Sequence, residues 1–562
     1  MAEPKNPRLA NMGVADSITV ALEVRSEGTS VGSTDDDTFV HAATDAGHLG
    51  IKFLDVATRV GDHPALITTD RLFSYHEIAR ASLRVAGFLD SSLSFTAGDR
   101  VLLIAKNSLA YMAGLYGTLL AGGVVVPLPE KTSRDRCDLV AGECEARVTL
   151  LDATSQGQFA GRESGTAVLL NLLAASNPSG PPLKISHSDG DSLAMLLYTS
   201  GSTGKPKGVM LSHGNLLANA ASIAEFLPIE PTDRALTVIP FCHAYGNSVL
   251  QTHMLAGATL VVDGTPTFPI TITEAMRRHG VTSFAGVPEL YHSLLSCSDL
   301  GEQNLPDLRY MTVAGGKMPA ATANQIAGRI SPAKLFVMYG QTEATARLAC
   351  LPPEDLTFRA DSIGRAIPGV ALRVLDTDGS PAKTGDRGEL CARGDNVMLG
   401  YWNDQAATDA ALTDGWLRTG DIAHADSEGY FYLHGRRNQE VKIRGIRVDL
   451  TAVAAALSDE VPGCHFVAVA FDANSITRIA LFAKSNVLTP SMEEIQDACR
   501  DRLAEHEIPS YIEQLADFPL NDALKIDRQS LSAWAAKQFD ASCANESVLG
   551  GGSSNQLLKE VA

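Results

Sequence analysis

Four hydroxyls, three glycines and two lysines are packed into the stretch Tyr198-Thr-Ser-Gly-Ser-Thr-Gly-Lys-Pro-Lys-Gly208. Thr199, Ser200, Ser202 and Thr203 can donate hydrogen bonds. Lys205 and Lys207 bring positive charge, and Gly201, Gly204 and Gly208 let the backbone approach a ligand closely. That combination suits a polyphosphate. It departs from the phosphate loop G-x-x-x-x-G-K-[ST], because Pro206 follows Gly204-Lys205 where a hydroxyl residue would stand. A surface turn has the same residue types, so the stretch gains weight only from what accompanies it.

Four further clusters do so. Met338-Tyr-Gly-Gln-Thr-Glu-Ala344 directly follows an apolar strand-like run, the position at which open α/β sheets bind ligands. There Glu343 can hold Mg²⁺, Thr342 can donate to a phosphate and Tyr339 can stack on a flat ring; a helix N-cap at Gln341 or Thr342 is the alternative. In Thr413-Asp-Gly-Trp-Leu-Arg-Thr-Gly-Asp421, Asp421 follows a tight turn and can accept from both hydroxyls of a ribose, or simply serve the turn. Gly435-Arg-Arg-Asn-Gln-Glu-Val-Lys-Ile-Arg-Gly445 is basic and polar, as a charged linker would also be. Leu520-Asn-Asp-Ala-Leu-Lys-Ile-Asp527 carries Lys525, which alone reads as solvated surface.

The elements that must position these clusters alternate. Tyr75 to Leu89 is amphipathic, Arg100 to Ile104 is strand-like, Leu109 to Leu120 is helical, and Val124 to Val126 is a strand closed by Pro127 and Pro129. Strand-like runs recur at Val148–Asp152, Ala167–Leu170, Leu193–Leu197, Val209–Leu211, Arg234–Ile239, Thr259–Val262, Ser283–Val287 and Leu335–Met338, and Ser212 opens a helix. Such alternation implies α/β layers around mostly parallel sheets. From Ala371 to Arg393 the texture turns to strands and turns. Beyond about Val441 a smaller α+β unit follows, with strands at Phe466–Phe471 and Arg478–Ala483 and helices near Thr451–Ser458 and Met492–Leu503. The expected organisation is a polar, disordered tail over 1–45, a large core over 46–437, a small domain over 438–540 and a second loose tail over 541–562.

With 562 residues, 45% of them hydrophobic, the chain can bury large cores, and its length favours two to four domains. A formal net charge of −19 argues against nucleic acid as a partner. Nine cysteines without a C-x-x-C pair suggest reduced thiols and a cytoplasmic protein. Ser108 to Leu128 carries no charge, but Gly122-Gly123 breaks it, so a buried helix, a glycine turn and a strand explain it better than a membrane span.

Taken in order, the five clusters resemble the adenylate-forming superfamily of acyl-CoA synthetases, peptide-synthetase adenylation domains and luciferases, over roughly residues 50 to 535. The glycine-rich loop matches residue for residue from Tyr198 to Gly208. The family's Tyr-Gly-x-Thr-Glu matches Tyr339 to Glu343, and Gly-Glu-Leu…Gly-Tyr-x-x-Asp matches Gly388 to Leu390 and Gly400 to Asp404. Trp-x-x-Thr-Gly-Asp matches Trp416 to Asp421, and Gly-Arg…Lys-x-x-Gly matches Gly435, Arg436, Lys442 and Gly445. The resemblance implies a large N-terminal domain of layered β-sheets with flanking helices and a small, mobile α+β C-terminal domain.

It also implies a two-step reaction. A carboxylate attacks the α-phosphate of Mg-ATP to give an acyl-adenylate, and a thiol of CoA or of a carrier protein's phosphopantetheine then displaces AMP. Phosphoryl transfer is mostly positioning and charge neutralisation, which fits this inventory. By family position, Lys525, Thr199, Glu343 and His243 serve the chemistry. Thr199 to Lys205, Lys207, Gly340, Thr342, Lys442 and Gly445 serve the nucleotide and its handling. Gly315, Gly316 and Tyr339 pack near the adenine, Asp421 and Arg436 hold the ribose, and rotation of the small domain exchanges Lys525 for the Gly445 region.

Pro240-Phe-Cys-His-Ala-Tyr-Gly246 has Cys242-His243 where adenylation domains for α-amino acids carry an aspartate, which favours an acid without an α-ammonium, fatty or aryl. Gly246, Ser248, Gly286 and Gly315 are small and would leave room for its chain or ring. Leu524 stands where the family usually has glycine before the lysine, and Asn438 stands at the hinge. No carrier domain follows residue 540, so CoA or a free-standing carrier protein would be supplied in trans. A non-thiol acceptor, and a non-catalytic adenylate-binding protein, are the two other readings of the same residues.

Overall fold

The computed structural model describes residues 47–92, 95–155, 166–170, 189–199, 206–302, 305–376, 378–436, 440–443, 446–461, 464–473, 476–485, 490–521 and 525–548. Its contacts divide the chain into two compact units, one of residues 79–186 and one of residues 44–78 with 187–562.

In the first unit, four parallel strands lie in the order Val124–Leu128, Arg100–Ile104, Val148–Leu151, Thr166–Leu169. The uncharged segment is resolved as the helix Leu109–Leu120 followed by the first of these strands, with every residue from Ala110 to Leu120 buried. A helix apolar all round belongs in a core, and Gly117 shows how tightly this one packs. A Cβ there would lie 2.7 Å from the Ser82 carbonyl and 2.6 Å from Val85 Cβ. Pro127 does not close the strand, which runs on to Leu128 with Pro127 opposite Leu103. Among the described residues, no helix is long and apolar enough to cross a membrane.

The second unit is built on a long sheet whose centre is six parallel strands. In order these are Lys334–Tyr339, Tyr310–Val313, Ser283–Gly286, Arg234–Thr237, Thr259–Val262 and Pro64–Thr68. Near-continuous apolar runs such as Leu335 to Met338 mark strands covered on both faces. Beyond Lys334–Tyr339 the sheet turns antiparallel through Ala349–Leu351, Ser362–Ala366, Phe431–Arg436, Trp416–Ala425, Gly388–Gly394 and Val370–Leu375. A separate antiparallel set joins Leu193–Thr199, Lys207–Ser212 and Gly400–Tyr401. The helix His213–Phe226 follows, and its Ser212 cap and Asn215 form a reciprocal capping box.

The C-terminal part of this unit has a three-stranded sheet, Cys464–Ala473, Ile476–Ser485 and Tyr511–Gln514. Side chains alternate across it. Phe466, Ala468, Ile479 and Leu481 pack with Val453, Leu457, Ile495 and Cys499 of the helices Leu450–Glu460 and Met492–Arg502. Val467, Val469, Phe471 and Phe482 pack on the other face with Leu531, Ala535 and Phe539 of the helix Arg528–Val548. That helix extends into the segment expected as a loose tail, because its buried stripe anchors it as far as Phe539. The anticipated boundary at 437/438, including Asn438, lies outside the described residues, as do 1–46 and 549–562. The molecule thus has the mixed α/β architecture anticipated, large sheets with flanking helices and a smaller α+β part at the C-terminus.

Candidate active site

The parallel strands of the large sheet all end at one edge, and three of the anticipated segments emerge there together with Glu289. His243 follows the strand Arg234–Thr237, Glu289 follows Ser283–Gly286, Gly315 and Gly316 follow Tyr310–Val313, and Tyr339 ends its own strand. His243 is half-buried at the N-cap of the helix Ala244–Ala256, with extended backbone (φ −100°, ψ 150°). A helix start at a strand's carboxyl end is where α/β sheets place ligands.

The glycine-rich stretch is flanked by two antiparallel strands, Leu193–Thr199 and Lys207–Ser212. Thr199 is paired with Lys207 and Tyr198 with Gly208 across antiparallel strands. Ser200, Gly201, Ser202, Thr203, Gly204 and Lys205 lie outside the described residues. The strand Lys207–Ser212 is tied to Gly400–Tyr401 by the Trp402 N–H donating to the Gly208 carbonyl (2.7 Å) and the Leu399 N–H to that of Met210 (2.9 Å). Lys207 Nζ sits 4.9 Å from the centre of the Tyr401 ring, whose hydroxyl donates to Glu343 Oε1 at 2.9 Å. Lys207 and Glu343 are therefore joined through Tyr401, and burial together with Glu343 raises the phenol's pKa, so it stays a donor.

Glu343 lies in a single 3-10 turn, Thr342–Ala344, and not at the start of a helix. Gly340 is required for that turn to fold back. A Cβ there would come 1.8 Å from the Ala346 carbonyl oxygen. Among the described residues Glu343 accepts only at Oε1, and a carboxylate with one oxygen open suits Mg²⁺, which takes one or two carboxylates along with phosphate and water. No group of three potential metal ligands occurs among the described residues.

Asp421 is not in a turn; it sits within the strand Trp416–Ala425, directly after Gly420 (φ 74°), and is paired with Arg436 on the neighbouring strand. It is 4% exposed, and its two oxygens accept from different donors, the Tyr339 hydroxyl at Oδ2 and Arg436 Nε at Oδ1 (3.0 Å). Tyr339 is thus fixed by its hydroxyl, with its pKa raised by burial and by Asp421. Each carboxylate oxygen retains a second lone pair for a hydroxyl of a ligand.

Lys525 is presented by a small hairpin, with its N–H donating to Asn521 Oδ1 (3.1 Å), the Asn521 N–H to its carbonyl (2.8 Å), and Leu520 bridged to Ile526. Its Cε lies 3.2 Å from where a Cβ on Gly315 would stand, and Gly315 has φ +93°. Glycine is needed there on both counts. Lys525 keeps part of its surface open to solvent, while its Nζ stands 3.8 Å from the same would-be Cβ. Desolvation first, and Arg436 next, lower its pKa, while Glu289 and Glu343 oppose them. Glu289 is pushed the other way, its carboxyl raised by desolvation against the pull of Lys525 and Arg528, and its Oε2 is buried without a partner.

The small residues expected to leave room for substrate do not all do so. A Cβ on Gly246 would lie 2.1 Å from the Pro240 carbonyl oxygen, and one on Gly286 would lie 2.8 Å from Tyr291. The space beside them is already filled, and Ser248 is turned inward to the Tyr245 carbonyl (2.7 Å). Gly316 is exposed against Pro288, the backbone of Lys442 pairs with Arg447, and Gly445 and Leu524 lie outside the described residues. Gly435 (φ 145°) lets the Asp449 carboxylate approach, to 2.5 Å of a would-be Cβ. Tyr401, Glu289 and Arg347 were not assigned roles from sequence. Only Tyr401 carried a signal, inside the Gly400-Tyr motif.

Residues 53–402 match the family model described as AMP-binding enzyme. The chain is 27% identical over 538 residues to the long-chain-fatty-acid–CoA ligase of Salmonella typhimurium, covering 87% of this chain and 94% of that protein. It is 28% identical over 474 residues to the 2-succinylbenzoate–CoA ligase of Bacillus velezensis, covering 83% and 94%. Among solved structures, the o-succinylbenzoate CoA synthetase of Bacillus subtilis, in complex with the acyl-adenylate intermediate OSB-AMP, superposes with a TM-score of 0.75 at 25% identity, covering 85% of this chain and 97% of that one.

Proposed function

The chain belongs to the AMP-binding enzymes, and we propose that it is an AMP-forming acid–thiol ligase. It activates a carboxylic acid lacking an α-ammonium as an acyl-adenylate and passes the acyl group to CoA or to a carrier-protein phosphopantetheine. The observation that carries this reading is Lys525, held over Gly315 at the carboxyl edge of the parallel strands, together with the linked set Lys207, Tyr401 and Glu343.

In the first step Lys525 Nζ donates to the incoming carboxylate and to the α-phosphate, lowering the repulsion between two anions as the O–P bond forms and pyrophosphate leaves. Thr199 and Lys207 hold the β- and γ-phosphates. Asp421 accepts from the ribose hydroxyls, with Arg436 and the Tyr339 hydroxyl keeping its carboxylate in place. Glu343, turned by Tyr401, would hold Mg²⁺, which supplies charge neutralisation on the phosphates when bound. In the second step the small domain turns about the Gly435–Asp449 contact and brings the Lys442–Gly445 segment to the same pocket for the thiol.

Acid-dependent ATP–pyrophosphate exchange over a panel of fatty, aryl and amino acids, with Lys525→Ala alongside, tests the reading. Exchange with one non-amino acid class, reduced at least about 100-fold in the variant, is expected. Absence of exchange with every acid, or exchange indifferent to Lys525, would refute it.

A further inference from the structure

A small cavity lies between the helix Ala244–Ala256, which starts at His243, and the strands Ser283–Gly286, Tyr310–Val313 and Lys334–Tyr339. Its lining includes Ser248, Thr252, His253, Thr312, Met338 and Arg347. Arg347 is 2% exposed. Its guanidinium has five donors, yet among the described residues it meets only the Met338 sulfur (Nε, 3.4 Å), the Ala346 carbonyl (Nη1, 3.1 Å) and the face of Tyr245 (4.1 Å to the ring centre). No described carboxylate pairs with it. Other arginines of the fold are treated differently: Arg309 meets Asp233, Arg359 meets Asp426 and Arg418 meets Glu389. A buried cation without a counter-ion is costly unless something supplies the charge.

The backbone is committed to keeping it there. Thr345 and Ala346 take positive φ (59° and 130°) without being glycine, a conformation that persists only where the surroundings impose it. Thr345 Oγ1 donates to the Asn396 carbonyl (2.6 Å), and Asn396 Nδ2 donates to the carbonyls of Arg347 (2.8 Å) and Ala344 (3.1 Å). At the same wall, His253 Nε2 is buried without a hydrogen-bond partner. Protonated beside an anion, it becomes a second donor. The Arg347 charge also reaches Lys525, whose ammonium it disfavours. Two cations therefore act on the same region, Lys525 over Gly315 and Arg347 on the wall of the cavity.

Resting on the reading that this site activates a carboxylic acid, we propose that Arg347 recognises a second carboxylate at the far end of that acid. The preferred substrates are then dicarboxylic acids, activated at one end, and not fatty or aryl monoacids of the same length.

The test compares ATP–pyrophosphate exchange by the full-length protein with matched series of equal chain length, ending in methyl, primary amide or carboxylate. Wild type is expected to favour the carboxylate-ended acid in kcat/KM by about 10- to 100-fold, the size of a charge-assisted hydrogen bond. Arg347→Met should abolish or invert that preference while ATP affinity, measured by calorimetry, stays within about twofold, and Arg347→Lys should retain part of it. A wild type that favours the methyl-ended acid, or an Arg347→Met variant that loses both series equally with ATP binding intact, overturns the proposal. The wild-type series stands alone if the variants do not fold. If no acid supports exchange, the reading of the site as an acid-activating one fails separately. The subsite is then read by calorimetric binding of the diacid to wild type: binding that is weakened at least about tenfold in Arg347→Met supports it, and no binding, or equal binding, overturns it.

Discussion

The pairing of Asp421 with Tyr339 and Arg436 invites a double-mutant cycle. Asp421 is 4% exposed and accepts one bond at each oxygen, from the Tyr339 hydroxyl and from Arg436 Nε. The Arg436 side chain is 57% exposed, so that half of the arrangement is solvent-screened and contributes about 0–1 kcal/mol. The phenol–carboxylate bond is buried and charged, in the class of about 1.5–3 kcal/mol. Tyr339→Phe should then cost about 1.5–3 kcal/mol. Asp421→Asn should cost about 2–4 kcal/mol, because its amide presents a donor to one of two groups that also donate. If both variants act on one bond, the double variant should fall short of the sum by about 1–2 kcal/mol. The four proteins are compared by the shift in denaturant midpoint of the same transition at a shared slope. A coupling below about 0.3 kcal/mol would refute the claim that Tyr339 acts through Asp421. The same Asp421→Asn protein should raise the KM for ATP at least about tenfold with the KM for the acid little changed, since the carboxylate is assigned to the ribose.

Two further outcomes follow from charge. Glu289 raises the Lys525 pKa, so Glu289→Gln should move the alkaline limb of the exchange profile to lower pH, whereas a purely structural Glu289 would lower the rate without moving the limb. His213 is 1% exposed, lies tilted against His48 at 4.0 Å between ring centres and accepts the Leu49 N–H at Nδ1 (3.2 Å). Desolvation first, and His48 next, lower its pKa from 6.5 to about 3. The unfolded chain therefore binds this proton before the folded one does. The stability from a neutral ring is complete above pH 6.5 and is lost as pH falls toward 3, by up to about 1.4 kcal/mol per pH unit. His213→Gln should flatten the acid limb of stability against pH between those values, and an unchanged slope would assign that limb to other groups.

Much of the architecture is local and therefore legible in the chain. The helix Leu109–Leu120 and the strand Thr259–Val262 fall where their apolar patterns place them, because periodicity and turn residues act over a few neighbours. The order of the five polar clusters was enough to indicate an adenylate-forming enzyme, since each motif carries its residue types in its own short stretch.

Contacts between distant segments were not legible. Asp421 reads as a turn residue until the strand Phe431–Arg436 is laid beside it and Tyr339 arrives from 82 positions away. Tyr401 acquires its role only when Gly400–Tyr401 pairs with Lys207–Ser212 and brings the phenol to Glu343. Gly246 and Gly286 look like vacant space in a sequence, but a missing Cβ serves a ligand only if no other protein atom has taken its place, and here the Pro240 carbonyl and Tyr291 have. Arg347 looks like any surface arginine. Only packing leaves it 2% exposed with a sulfur, a carbonyl and a ring for company, because burial and the absence of a counter-ion are properties of the surroundings and not of the residue.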